Sequence, residues 1–194
     1  MKQEALLTLC RAVSERAAQT LKWVTTQNWL LDIALDHLTL GRAALYAAIL
    51  ESRSRRGEAA PPPPANQPGL ASAVTEIDHA VSGLRHAGRQ DYLPRALLTR
   101  AWLRSLTGRA TGPDSAQSDL DEAWEIAERG PMPLFQADIH LYRARLFFRD
   151  KPYPWQSPQH DLAEARRLIF KHGYLRRKEE LEDAESALTS SIST

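Results

Sequence analysis

A single cysteine, Cys10, stands in the 194 residues, so no intrachain disulfide can form. A reducing, cytoplasmic setting is the expected one. Neither sign of charge prevails: 25 basic and 24 acidic residues leave a formal net charge of +1. That balance argues against a general electrostatic grip on nucleic acid, which needs an excess of cations across a whole face. No apolar run approaches the roughly 20 residues that span a bilayer, so no membrane association is expected. Sustained period-two alternation is also lacking, and nothing reads as a strand. The start, Met1-Lys2-Gln3-Glu4, enters an amphipathic segment directly. It has neither a signal-peptide core nor a loose leader, and reads as the edge of a piece of a longer chain.

Catalytic signatures are missing as well. There is no GxxxxGK phosphate loop, no HExxH, no CxxC and no GxSxG. No catalytic residue, cofactor or enzymatic activity is expected. Cys10 falls on an apolar helix face and reads as a buried structural thiol. Six histidines are present. Asp36-His37, Asp138-x-His140 and His160-Asp161 pair a histidine with a carboxylate, and His79 and His86 lie two turns apart. None has the local spacing that builds a metal site, and no metal is expected.

What is present is helical. Apolar residues recur at three- and four-residue steps over residues 3–25, 29–52, 70–86, 92–106, 118–128, 134–148, 159–171 and 176–188. Gly88, Gly130 and Gly173 stand where helices stop. Residues 53–69 break the pattern: Pro61-Pro62-Pro63-Pro64 cannot continue a helix and favours an extended loop, read as a spacer. Residues 151–158 read as a rigid, proline-rich loop.

One motif occurs three times: Leu40-Gly41-Arg42-Ala43-Ala44-Leu45, Leu98-Thr99-Arg100-Ala101-Trp102-Leu103 and Leu141-Tyr142-Arg143-Ala144-Arg145-Leu146. Each is followed by a second apolar segment carrying Ala80, Ala123 or Ala165. Those second alanines are 43 and 42 residues apart. The unit is therefore a helical hairpin of about 42 residues, and the first copy carries about fifteen extra residues around its proline run. Small residues at a helix crossing allow close approach. A single hairpin cannot bury its own apolar face, so hairpins stack. The expected fold is all-α, an α-solenoid of about eight helices in a single domain. Its parts are an N-terminal helix (1–27), repeat 1 (28–88, with the insertion 53–69), repeat 2 (89–130), repeat 3 (131–173) and a C-terminal capping helix (174–194).

The stretches Ala-Leu-Leu-Thr-Arg-Ala-Trp-Leu (96–103) and Asp-Leu-Asp-Glu-Ala-Trp-Glu-Ile-Ala (119–127) resemble the tetratricopeptide repeat superfamily. They are most similar to the alanine- and arginine-rich arrays of bacterial STAND-type signalling ATPases. The resemblance spans about residues 28–173. It departs from the usual unit of about 34 residues, and no Trp-x-x-Leu-Gly-x-x-Tyr run is present. It implies a non-enzymatic module that binds a protein or peptide on its concave face, as the sensor or regulatory segment of a larger protein. The other reading is a scaffold that packs on its parent chain or on itself. By the same resemblance the first helix of each unit lines the groove, which nominates His37, Arg95, Trp102, Asp138 and Arg145 as partner-binding residues, with Ala44 at the matching place in copy one. The remaining tryptophans, Trp23, Trp29, Trp124 and Trp155, are expected to pack between helices.

Overall fold

A computed structural model describes residues 2–56 and 68–192. These form eight α-helices and one short 3-10 turn, with no strand among the described residues. The helices are α1 (Lys2–Thr26), α2 (Leu30–Arg56), α3 (Pro68–His86), α4 (Leu93–Leu106), α5 (Ala116–Arg129), α6 (Pro133–Phe147), α7 (Pro158–Lys171) and α8 (Lys178–Ile192), with the 3-10 turn at Leu175–Arg177 before α8. The chain is all-α.

Local signals explain most boundaries. Ser115 caps α5, which starts two residues earlier than the apolar pattern indicates: its Oγ accepts from Ser118 N at 3.1 Å, while Ser118 Oγ accepts from Ser115 N at 2.9 Å. Ser157 caps α7 in the same way through His160 N. Gly88 and Gly173 follow α3 and α7 with φ of +66°, a conformation that suits glycine. The first copy differs from expectation. Residues 53–56 continue α2 and 68–69 begin α3, so part of the extra length is helix. The rest of the proline-rich insertion, 57–67, lies outside the described residues.

Consecutive helices pack against each other in turn, making the hairpins α2–α3, α4–α5 and α6–α7. In addition α2 packs on α4, α4 on α6 and α6 on α8, whereas the backbones of α3, α5 and α7 do not approach one another among the described residues, and α3 reaches α5 through the Arg85–Glu122 ion pair at 2.6 Å. The even-numbered helices thus form a close inner layer and the odd-numbered ones a splayed outer layer. The repeated alanines lie at the contacts: Ala43, Ala101 and Ala144, and Ala80, Ala123 and Ala165, are all buried. Leu97, Leu120, Ile139 and Phe147 fill the central core, and Leu141, Ile169 and Leu181 continue it toward α8.

Three expectations need correction. The segment Leu30–Ser54 within α2 is long and apolar enough to cross a membrane by length and composition alone, although it carries Asp32, Asp36 and Arg42 and packs against both α1 and α3. Trp23 and Trp29 do not pack between helices; they are 62% and 58% exposed. The reason is that, among the described residues, α1 packs only on α2. One side of α1 therefore has no neighbour, and Leu6, Leu9 and Val13 are exposed with the two tryptophans. Cys10 is only half-buried on this helix, and burial raises its thiol pKa.

Candidate functional site

The motif arginine has a structural task in two of its three copies. Arg100 of α4 donates from Nη2 to Asp119 Oδ1 of α5 at 2.7 Å and reaches back to Asp78 of α3 at 3.4 Å. Arg143 of α6 reaches back to Asp121 of α5, also at 3.4 Å. Both long links span 22 residues. The sequence repeat is therefore a repeat of contacts between successive hairpins. Asp119 is buried and also takes Arg104 Nη1 at 2.9 Å. Arg143 is stacked between Trp124 and Trp155, at 5.0 and 4.6 Å from the ring centroids. Trp155 is fixed by its indole N–H, which donates to Asp121 Oδ1 at 2.8 Å. Tyr153 from the same proline-rich loop donates its hydroxyl to Asp161, which also meets His140 Nδ1 at 2.6 Å.

On the inner layer a groove of about 560 Å³ opens between α2, α4, α6 and the start of α8. From α2 come Arg42 and Tyr46; from α4 come Arg95, Leu98, Thr99 and Trp102. From α6 come Leu134, Phe135, Asp138 and Tyr142, and the far wall is Tyr174, Arg176, Arg177 and Glu180. Four of the six charged residues are arginines. The two acids are spent on one of them. Arg177 Nε donates to Asp138 Oδ1 at 2.8 Å, and its Nη1 donates to Glu180 Oε2 at 2.7 Å. Burial disfavours the Arg177 charge, but the hydrogen bonds and attraction of Asp138 and Glu180 outweigh it and raise its pKa.

Arg42, Arg95 and Arg176 have no carboxylate within ion-pair distance among the described residues. Arg42 is held by neutral groups: its Nη2 donates to Thr99 Oγ1 at 2.8 Å and to the Arg95 carbonyl at 3.0 Å. Burial lowers its pKa, as expected of a cation without a compensating anion. Arg176 donates to the Tyr174 hydroxyl at 2.6 Å. Beside these cations, Trp102 is half-buried and meets Tyr46 edge to face at 5.5 Å. Burial pushes the Tyr142 hydroxyl up to about 12, so it stays a neutral donor at physiological pH.

Three of the five nominated residues meet in this groove: Arg95, Trp102 and Asp138. Of these, Asp138 is buried and already bonded to Arg177 and to the Tyr174 hydroxyl at 3.1 Å, so it shapes the wall and is not free to contact a ligand. Arg145 lies in an adjoining hollow of about 380 Å³, shared with Trp102, Tyr46 and Glu180. Its nearest carboxylate oxygen, on Glu180, is 3.6 Å away. His37 does not line either hollow; it faces α3, with Nδ1 2.7 Å from Glu76 Oε2. Sequence reasoning missed Arg42, Tyr142 and the far wall. The residue just before the motif arginine carried a usable signal, because Thr99 and Tyr142 occupy that place in copies two and three and both face the groove. The chain matches no family model, no curated protein and no solved structure.

Proposed function

We propose that the chain is a non-enzymatic, tetratricopeptide-like module that captures an extended acidic peptide along its inner groove. By the resemblance of its repeats to STAND-type arrays, it would serve as the sensor segment of a larger bacterial signalling protein. The observation that carries the reading is the set of three guanidiniums that have no carboxylate partner among the described residues, beside the Trp102–Tyr46 pair. Arginine and tryptophan are the side chains that dominate binding hot spots. Arginines left without acids favour a partner of opposite charge and set its register. An open groove across several helices suits a segment of chain.

The test is a tryptophan-fluorescence titration with three 12-residue peptides, one rich in Asp and Glu, one neutral and one rich in Lys. Saturable binding is expected for the acidic peptide only. It is expected to weaken by tenfold or more in Trp102→Ala. Equal binding of all three peptides, or of none, overturns the reading.

A second reading rests on α1. Its exposed Leu6, Leu9 and Val13 form an apolar face with no neighbour among the described residues, and such faces mark contact surfaces. On that reading the array is a scaffold that packs on its parent chain or on a second copy. Sedimentation over a range of concentrations distinguishes the two: self-association that persists when the groove residue Trp102 is replaced favours the scaffold.

A further inference from the structure

His37 of α2 and Glu76 and His79 of α3 each offer one ligand atom, and the three atoms lie within 4.8 Å of one another. Glu76 and His79 are three residues apart, so they share a face of α3. His37 comes across from α2, its ring edge-on to His79 with centroids 5.1 Å apart. Two glycines account for the close approach of these helices on either side of the cluster. A Cβ at Gly41 would stand 2.5 Å from Ile77 Cγ1, and one at Gly83 would stand 2.9 Å from Ala34 Cβ. The helices are therefore seated backbone to side chain at both crossings, and the three donors between them are held at a fixed separation. From this geometry we propose that His37, Glu76 and His79 form a binding site for a divalent transition-metal ion of the zinc class.

The chemistry fits that ion. Imidazole nitrogens and one carboxylate are the donors zinc takes, and three protein ligands leave a fourth position for water. In a tetrahedral zinc centre with Zn–N of about 2.0–2.1 Å, donor atoms stand about 3.3 Å apart, so a small side-chain rotation closes the cluster. The ion takes the place of the hydrogen bond between His37 Nδ1 and Glu76 Oε2, which lie 2.7 Å apart, with the imidazole proton then on Nε2. His79 is exposed and gives the ion a path from solvent. Once bound, the ion ties α2 to α3 five residues before Arg42, one of the two residues that α2 contributes to the groove.

The test uses the full chain after dialysis against a chelator. Cobalt(II) is titrated and followed by its visible absorption, and zinc sulfate is added in thermal melts. One cobalt per chain is expected, with a rise in melting temperature on zinc addition. Because His79 is exposed, His79→Asn is expected to fold normally, with an unchanged melting temperature in chelator and at least tenfold weaker cobalt binding. Glu76→Gln is expected to weaken binding in the same direction, and His86→Asn to leave it unchanged. Absence of saturable binding, wild-type affinity in His79→Asn, or loss of binding in His86→Asn overturns the proposal.

Discussion

Arg100 and Arg143 occupy the same place in the second and third hairpins, and each reaches the acid that lies 22 residues earlier on the preceding outer helix. Arg42 occupies that place in the first hairpin. Counting back 22 residues from it gives Thr20, on α1, which offers no carboxylate. Arg42 turns instead toward α4 and the groove, where Thr99 Oγ1 and the Arg95 carbonyl hold it. The same motif residue is thus a staple in the middle of the array and a groove-lining cation at its start. What distinguishes them is whether a preceding unit supplies an acid.

The comparison breaks most visibly at Asp119. This carboxylate is 1% exposed and takes both Arg100 and Arg104. Asp119→Ala leaves the buried Arg104 and the half-buried Arg100 without it, and removing one partner of a buried ion pair costs about 3–5 kcal/mol. Urea unfolding checks this, and a loss below about 1 kcal/mol would mean that the Arg100–Asp119–Arg104 cluster does not hold α4 to α5. Arg143→Ala comes next. Its ion pair with Asp121 is long, at 3.4 Å, and the acid is half exposed, so the pair contributes little, but the buried guanidinium fills the space between Trp124 and Trp155. The expected loss is about 2 kcal/mol from packing and cation–π contact. A drop in thermal midpoint that high salt does not mimic would separate packing from charge.

The helices were legible because each carries its own periodicity and stop signals. Gly88 and Gly173 end α3 and α7 as read, and the Leu-x-Arg-Ala-x-Leu alanines lie buried at the crossings. The groove was legible only in part. Arg95 and Trp102 follow from their place in the repeat, but Asp138 was not separable from them until Arg177, 39 residues away, was seen to hold it. His37 shows the same limit. Its partners Glu76 and His79 lie on the far side of the proline-rich insertion, and no local spacing joins them. Tryptophan fate was equally non-local: Trp23 and Trp29 look like core residues by type, and their exposure follows from α2 being the one packing partner of α1 among the described residues.

Arg42→Met sharpens the contrast from the opposite side. Replacing a half-buried cation that has no anion partner among the described residues by an apolar side chain of similar length is expected to be neutral or stabilising. Thr99 Oγ1 keeps a partner, because its hydroxyl donates to the Arg95 carbonyl at 3.0 Å. Stability is expected to stay within about 1 kcal/mol of wild type or to rise, while acidic-peptide binding falls at least tenfold. A loss as large as that of Asp119→Ala would show that Arg42 is a staple after all, and the distinction between the first copy and the others would collapse.

The smallest expected effect lies at the other edge of the first unit. Leu9 on α1 is 58% exposed, so Leu9→Ser removes no core contact and should change stability by less than about 0.5 kcal/mol. Its informative consequence is in solution behaviour. If α1 ends the array as a solvated cap, sedimentation of wild type and Leu9→Ser will be identical at every concentration. If Leu6, Leu9 and Val13 are a contact face, wild type will associate as concentration rises and Leu9→Ser will do so less. The two outcomes bear on Arg42 as well. A second copy or parent segment seated on α1 could supply the acid that Thr20 does not, and Arg42 would then have a competing partner outside the groove. Acidic-peptide affinity that is unchanged between dilute and concentrated protein would exclude that competition and leave Arg42 to the groove.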